Sequence, residues 1–227
     1  SYPFAIKPQK KLSVQDVMTM LRGHMAGTPF DMEAENAWNV REGDIMVKSP
    51  LATPFATKDV RNLLGIPYSR PISKWDCAYS FVSQVRSGYP APVRTVLWFG
   101  YVNPHTTCYV PIYSGVLETK KSWRTFDRNT FSLDSAQWAF ILADDLVNHR
   151  YQEAMEDLKA VRDPLEQGFA KQVLEADKKA LELAKKDPAK AQEYLTKFTS
   201  DCMEKAEKAW WQLNWDLISK YNNNKKK

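Results

Sequence analysis

The sequence has 227 residues, of which 44% are hydrophobic and 26% charged, so it can bury a sizeable core and is not of a disordered type. The formal net charge is +5 at pH 7, and Lys225, Lys226 and Lys227 supply three of these charges. The rest of the chain is nearly balanced, which disfavours nucleic acid as a partner. No apolar run approaches the roughly 20 residues that span a bilayer, so no membrane span is expected.

The cysteines Cys77, Cys108 and Cys202 lack the close spacing of a metal knuckle, and no metal or other cofactor is predicted. They are interpreted as buried reduced thiols, although a Cys77–Cys108 disulfide stays open because neighbouring strands could carry the two residues. As a nucleophile Cys77 would need a histidine partner, which nothing in the sequence places beside it. The chain begins at Ser1 without a signal-peptide pattern, which suggests a processed or trimmed product and leaves the compartment undecided.

The first predicted element is a short amphipathic helix over residues 14–25. Ser13 is a typical N-cap, and Asp16 follows three residues later as its capping-box partner. Apolar residues recur behind them at helical spacing until a glycine and a proline end the run. Residues 30–73 show no sustained period and contain four prolines, which predicts a long irregular segment of the kind that is functional when ordered.

Three runs rich in β-branched and aromatic residues follow at 77–86, 93–102 and 106–113. The short turns between them predict an antiparallel meander. Residues 93–102 are apolar at both parities, so this run is expected to be a central strand covered on both faces. Pro111 in the third run is easier to place at a sheet edge, because proline cannot donate to the ladder.

A helical region is predicted over residues 132–222, where the apolar period becomes 3.6. Prolines at Pro164 and Pro188 predict a break and the start of the last helix. The chain is thus expected to form one domain over 1–227 with three parts, at 1–75, 76–115 and 132–222. The expected apolar stripe of the first helix in the third part consists of Trp138, Ile141, Leu142, Asp145, Leu146 and His149.

Polar candidates for a site occur in two places. Ser80 and Gln84 share one parity of the first strand, and Arg70 precedes that strand. If one face of the sheet is exposed, such a row of polar residues is simply the solvated face. If both faces of the sheet are covered, the polar row is buried and must be hydrogen-bonded, for example as the lining of a ligand cavity. His24 and Asp31 flank the turn after the first helix. The simpler interpretation of His24 is a cap at the C-terminus of the helix, and that of Asp31 is a residue of a plain loop.

Four stretches in order carry a family resemblance: RGHMAGTPFDM, SRPISKWDCAYSFVSQVRSGYPAP, VLWFGYVNPHTTCYVPIYSGV and FSLDSAQWAFILADDLVNHRYQEAMEDL. Together they resemble the bacterial cysteine dipeptidases of the N-terminal-nucleophile (Ntn) hydrolase class. The resemblance implies an α+β fold, an Ntn-hydrolase-like αββα sandwich, of which this chain would be the C-terminal portion. Met25 and Ala26 stand where the family tends to carry an aromatic residue and a carboxylate.

In this family an N-terminal cysteine attacks the dipeptide, its own α-amino group serves as the general base, and no metal is required. The family places that cysteine before the portion matched here, so no catalytic residue is expected in this chain, and Ser1 is disfavoured as a nucleophile. The implied partners are a dipeptide substrate and an N-terminal segment or chain of the same enzyme, while a homo-oligomer is left open. The expected pocket residues are Arg70, Ser80 and Gln84, with His24 and Asp31 as outer support.

A non-catalytic alternative is a helical interaction or assembly module. Trp210, Trp211 and Trp215 lie on nearby faces of the last predicted helix, where aromatic side chains form core or interface packing more often than base stacking. This module would bind a partner protein through that helix.

Overall fold

A computed structural model describes residues 3–222, so Ser1 and the three C-terminal lysines discussed above lie outside the described residues. The fold is α+β, as predicted. The elements in chain order are α1 (Val14–Leu21), β1 (Asn39–Glu42), β2 (Ile45–Lys48), α2 (Lys58–Leu64), β3 (Tyr79–Val85), α3 (Ala91–Arg94), β4 (Thr95–Tyr101), β5 (Val110–Tyr113), α4 (Ala136–His149), α5 (Tyr151–Lys186) and α6 (Pro188–Tyr221). No helix over residues 3–222 is long and apolar enough to cross a bilayer.

The strands β3, β4 and β5 form one antiparallel sheet with β4 in the middle, which confirms the predicted meander and the central position of β4. The expected cover on both faces of β4 is not seen over the described residues, since its side chains alternate between buried and half-buried. Pro111 lies in β5, an edge strand of this sheet, as its missing N–H favours. The strands are shorter than predicted. Val93 and Arg94 belong to α3, where Pro92 occupies the first helical turn, and residues 106–109 form a connecting segment before β5.

Helix α5 packs on one face of this sheet, here called the inner face. Trp98 and Tyr113 of the sheet and Val173 of α5 are buried in the same hydrophobic core. The Tyr113 hydroxyl donates to the Asp177 carboxylate of α5 at 2.6 Å, and Arg86, which follows β3, forms an ion pair with the same carboxylate. A polar triad thus joins the sheet to the helix within the apolar contact.

Helix α6 runs along the free edge of β5. The Thr199 hydroxyl accepts from the Tyr113 N–H at 3.5 Å, and the Thr196 hydroxyl accepts from the Leu117 N–H at 2.9 Å. An exposed sheet edge can pair with a strand of another chain, and the helix prevents this contact. The predicted start of α6 is confirmed: Asp187 is its N-cap and accepts backbone hydrogen bonds from the first turn.

Two predictions for the first part of the chain need correction. Helix α1 has the predicted capping box between Ser13 and Asp16 but ends at Leu21, and the predicted last residue, Met25, has a left-handed backbone (φ 68°) that does not belong to a helix. Residues 30–73 are not irregular throughout, since they contain the hairpin β1–β2 and helix α2. Gly43 (φ 60°) forms the hairpin turn, and a left-handed Gly65 ends α2.

One prediction for the helical part is wrong, and another holds only in part. Pro164 does not break a helix but lies inside α5, whose burial continues on both sides of it, at Leu158 and Phe169. The break comes earlier, at Arg150, which has an extended φ of −145°. The predicted stripe of α4 is its buried side only in part: Leu146 is buried and Ile141 and Leu142 pack against the core, whereas Asp145 and His149 are exposed. The residues of α4 that are buried are Ala136, Ala139, Phe140, Ala143, Asp144, Leu146 and Val147.

Candidate functional site

The sheet face opposite α5, here called the outer sheet face, is apolar and largely uncovered over the described residues. On β3 the side chains of Tyr79, Phe81 and Val85 are 55%, 51% and 68% exposed. Helix α4 reaches the Tyr101 end of β4 through Phe140, with ring centroids 5.9 Å apart. The half-buried apolar members of the face are Leu97, Phe99, Tyr101 and Ile112, and Ser83 and Thr95 add two hydroxyl groups to it. A contiguous apolar face of this kind is typical of an interaction surface.

The polar row predicted on the first strand lies on the inner face. The hydroxyls of Ser80 and Tyr109 are 2.8 Å apart, and Gln84 Oε1 accepts from Trp98 Nε1 at 3.3 Å. A groove of about 540 Å³, lined in part by Gln84 and Leu174, runs beside the row. A cavity therefore does lie beside the polar residues, but both of them are already bonded within the chain.

A second polar group of residues, here called the histidine cluster, comprises His24, His105 and Tyr151 at the end of the sheet where β4 leads into residues 103–107. His105 Nδ1 lies 3.2 Å from the carbonyl oxygen of Arg22, and Nε2 lies 2.7 Å from the Tyr151 hydroxyl. A carbonyl can only accept, so Nδ1 carries the proton and Nε2 accepts from the tyrosine. The rings of His24 and His105 meet edge to face, with centroids 4.5 Å apart.

Burial keeps His105 neutral. Desolvation first, and then the charge of His24, lower the pKa of His105 from 6.5 to about 3. The Arg162 guanidinium donates to the backbone carbonyl of His105 at 2.8 Å and not to its ring. Phe55 adds an apolar wall, its ring centroid 5.4 Å from that of His105. The imidazole is thus fixed in one tautomer and one orientation.

Two backbone positions beside the histidines adopt left-handed conformations that side-chain-bearing residues rarely take. Met25, which follows His24, has φ 68°, and Val102, three residues before His105, has φ 55°. Such a conformation costs of order 1–3 kcal/mol and persists where the surroundings enforce it, which is typical of functional sites. The strain at Met25 and Val102 therefore supports the histidine cluster as a candidate functional site.

A buried carboxyl group supports the connection between β4 and β5. The Thr106 hydroxyl donates to Asp144 Oδ1 at 2.6 Å. Burial raises the pKa of Asp144 from 3.8 to about 7. In the same connection the hydroxyl of Ser73 donates to Asn103 Oδ1 at 2.5 Å, and both side chains accept from the His105 N–H. The segment that carries His105 is thus anchored at several points.

The five predicted pocket residues do not form one pocket. His24 joins the histidine cluster, and Asp31 closes the following turn by accepting from the backbone N–H groups of Gly27 and Glu33 at 2.9 and 3.0 Å. Ser80 and Gln84 lie on the inner face of β3, as described above, and Arg70 is exposed before the strand. His24 Nε2 lies 3.9 Å from the carboxylate of Glu33, which links His24 to the Asp31 turn.

His105 and Tyr151 are candidate residues that sequence reasoning did not select. They are 46 positions apart, and no period relates them. One signal was available: the run NPHTT places five residues, most of them polar, between two apolar strands, and all five are buried. Buried polar side chains need partners, so such a run indicates a bonded cluster.

All three cysteines are free thiols, so the Cys77–Cys108 disulfide that was left open is not formed. Burial raises the pKa of Cys77, raises that of Cys108 well above 9.0 and raises that of Cys202 to about 12. The thiolate is the nucleophilic form, so these surroundings make each of the three a poor nucleophile.

The model of peptidase family C69 matches residues 1–163 of this chain. The chain belongs to peptidase family C69. A similar protein, described as a probable dipeptidase from Latilactobacillus sakei, is 26% identical over 136 residues. That match covers 60% of this chain and 23% of the relative, so the chain matches less than a quarter of that relative's length.

The part that matches peptidase family C69 contains the whole histidine cluster and the three-stranded sheet. His24, His105 and Tyr151 all lie within residues 1–163, as does Arg162 at the end of the match. The rest of α5 and all of α6 lie beyond it. The features of the site thus fall in the family portion, and the long helical hairpin is built largely from residues outside it.

Proposed function

We propose that this chain is the C-terminal portion of a cysteine dipeptidase of the Ntn-hydrolase class, and that a segment upstream supplies the N-terminal cysteine. In the complete αββα sandwich, the upstream segment would contribute the second sheet and pack it on the outer sheet face. The observation that carries the proposal is the uncovered apolar face within a chain of peptidase family C69.

The outer sheet face has the size and chemistry of half a sandwich core. β3 has seven residues, which gives a strand of about 24 Å at roughly 3.4 Å per residue. The seven apolar side chains named above carry no charge, and full burial of a large apolar side chain stabilises by roughly 1.5–3 kcal/mol. Since most of the seven are already partly covered, closing the face would contribute on the order of 5–10 kcal/mol.

The thiols of this chain support a nucleophile from elsewhere. Burial disfavours the thiolate of Cys77, Cys108 and Cys202, as described above. An N-terminal cysteine would bring its own base, the α-amino group, and so would need no histidine. In this proposal His24, Asp31 and the loop with His105 form a wall of the dipeptide pocket, while Ser80 and Gln84 stabilise the strand that carries it.

The test compares the chain alone with a longer protein that includes the upstream coding region. We expect the longer protein to hydrolyse dipeptides in a reaction that thiol reagents block, and the chain alone to be inactive. Phe81→Lys should abolish this activity by disrupting the contact between the sheets, whereas Leu63→Lys, a matched change at a residue of α2 that is 84% exposed, should retain it. Hydrolysis by the chain alone, or a longer protein that lacks activity, would contradict the proposal.

A non-catalytic interaction module is the second candidate, and one observation favours it. Five aromatic side chains form a partly exposed patch on α4, α6 and the loop before α4: Phe126, Phe131, Trp138, Trp211 and Trp215. Trp210, which was expected to take part, is instead fully buried in the core. Under this alternative, Trp215→Gln would weaken partner binding or self-association in sedimentation experiments, and Phe81→Lys would not.

A further inference from the structure

Residues 22–25, which connect α1 to the Asp31 turn, are held in place from outside. The carbonyl of Arg22 accepts from His105 Nδ1 at 3.2 Å, and the carbonyl of Gly23 accepts from the Ser73 N–H at 2.9 Å. The connection ends at the strained residue Met25. A strained conformation persists only where its surroundings enforce it, so these two hydrogen bonds contribute to the orientation of His24, whose own Nδ1 lies 3.4 Å from the same Arg22 carbonyl oxygen.

His105 is suited to holding this connection because it is itself immobile. Tyr151 donates to one nitrogen of its ring, its other nitrogen donates to Arg22, and its backbone is bonded at both the N–H and the carbonyl. Only 7% of the residue is exposed. His105 therefore connects Tyr151 of α5 to the carbonyl of Arg22, so the position of α5 helps to fix the position of residues 22–25.

His24 is the member of the histidine cluster that reaches solvent. Its side chain is 18% exposed, and its Nε2 faces the carboxylate of Glu33 at 3.9 Å. Glu33 is fixed in turn, because Gln152 Nε2 donates to it at 2.9 Å and Lys48 lies 3.5 Å away. The imidazole therefore stands at the surface of a rigid polar cluster, with its edge against His105.

We infer that His105 and Tyr151 are positioning residues, which hold His24 in the orientation in which it forms a hydrogen bond to the dipeptide substrate. The inference rests on the proposed dipeptidase function. Within the histidine cluster it assigns substrate contact to the side chain of His24, and it gives the side chains of His105 and Tyr151 no contact with substrate. Side chains that must hold a geometry to within about 0.5 Å are commonly supported by such a second set of hydrogen bonds.

The test is a double-mutant cycle in the longer protein that includes the upstream segment. Tyr151→Phe removes one hydrogen bond from His105 and should raise KM roughly fivefold with little change in kcat. His24→Ala should raise KM further, and Tyr151→Phe should then have no added effect, because its influence passes through His24. Tyr221→Phe is the matched control: its hydroxyl donates to Asp157 at 2.6 Å, away from the cluster, and KM should not change.

A readout independent of activity uses nitrogen-15 NMR of the histidine rings in this chain. Wild type should show His105 with its proton on Nδ1, and Tyr151→Phe should shift the resonances of His24 through the changed ring contact. A longer protein without activity would refute the proposed function and leave this NMR result to decide the positioning. An active protein in which Tyr151→Phe raises KM equally with and without His24 would overturn the inference.

Discussion

Two buried groups at the end of the sheet have opposite effects on how stability depends on pH. Burial raises the pKa of Asp144 from 3.8 to about 7, and it lowers the pKa of His105 from 6.5 to about 3. Between about pH 4 and 6.5, folded Asp144 keeps a proton that the unfolded chain has lost, so its contribution to stability falls as pH rises. Folded His105 lacks a proton that the unfolded chain holds, so its contribution rises with pH.

Each effect amounts to about 1.4 kcal/mol per pH unit within that window, so the two nearly cancel in the wild-type protein. Asp144→Asn removes the effect of Asp144, leaves that of His105, and keeps a side-chain oxygen that accepts from the Thr106 hydroxyl. The free energy of unfolding of the variant, relative to wild type, should therefore increase by roughly 2 kcal/mol between pH 4.5 and 6.5, because folded Asp144 begins to ionise near the upper end of this range.

Urea unfolding followed by circular dichroism at pH 4.5, 5.5 and 6.5 measures this difference. Asp134→Asn, at an exposed aspartate before α4, is the control and should leave the pH dependence of wild type unchanged. Equal slopes for Asp144→Asn and wild type would refute the reasoning, because they would mean that Asp144 is ionised in the folded protein throughout this range.

Three further predictions concern the stability of the fold and are measured as the free energy of unfolding in urea. Asp177→Asn leaves a buried guanidinium without its charge partner and should cost about 3 kcal/mol, whereas Glu175→Gln, in an exposed pair on the same helix, should cost under about 0.5 kcal/mol. A Cβ at position 115 would lie 2.6 Å from proline backbone atoms, so Gly115→Ala should destabilise by about 2 kcal/mol. Gly168→Ala, in open space on α5, should stabilise by about 0.5–1 kcal/mol. Ser13→Ala should cost about 1 kcal/mol by removing the cap of α1, and a loss below 0.2 kcal/mol would contradict the capping argument.

Local signals in the sequence predicted the elements whose causes are local. The capping box at Ser13, the start of the last helix at Pro188 and the edge position of Pro111 were all confirmed, because each depends on a few neighbouring residues. The hairpin at Gly43 and the left-handed end of α2 at Gly65 also have local signals, which were overlooked in a segment interpreted as irregular.

The remaining features depend on contacts that are distant in sequence. Pro164 was expected to break the helix, but burial on both sides of it offsets the lost hydrogen bond. The buried face of α4 shares Leu146 with the predicted stripe, but it also includes Phe140 and small residues such as Ala139, whose carbonyl accepts from Asn214 of α6 at 2.9 Å. The contact between His105 and Tyr151 has no local cause at all, so the site could be predicted only in part.

The position of α6 on the edge of β5 has a consequence for how the protein is made. Tyr113 is 86 residues ahead of Thr199, the residue that covers it. At about 5–20 residues per second, a ribosome takes roughly 4 to 17 s to add the covering helix after the strand emerges. During that interval the nascent chain presents both an unpaired strand edge and an apolar sheet. We therefore expect ribosome-bound chains that stop before α6 to recruit chaperones more strongly than chains that include it. Crosslinking of such chains to ribosome-associated chaperones would measure the difference.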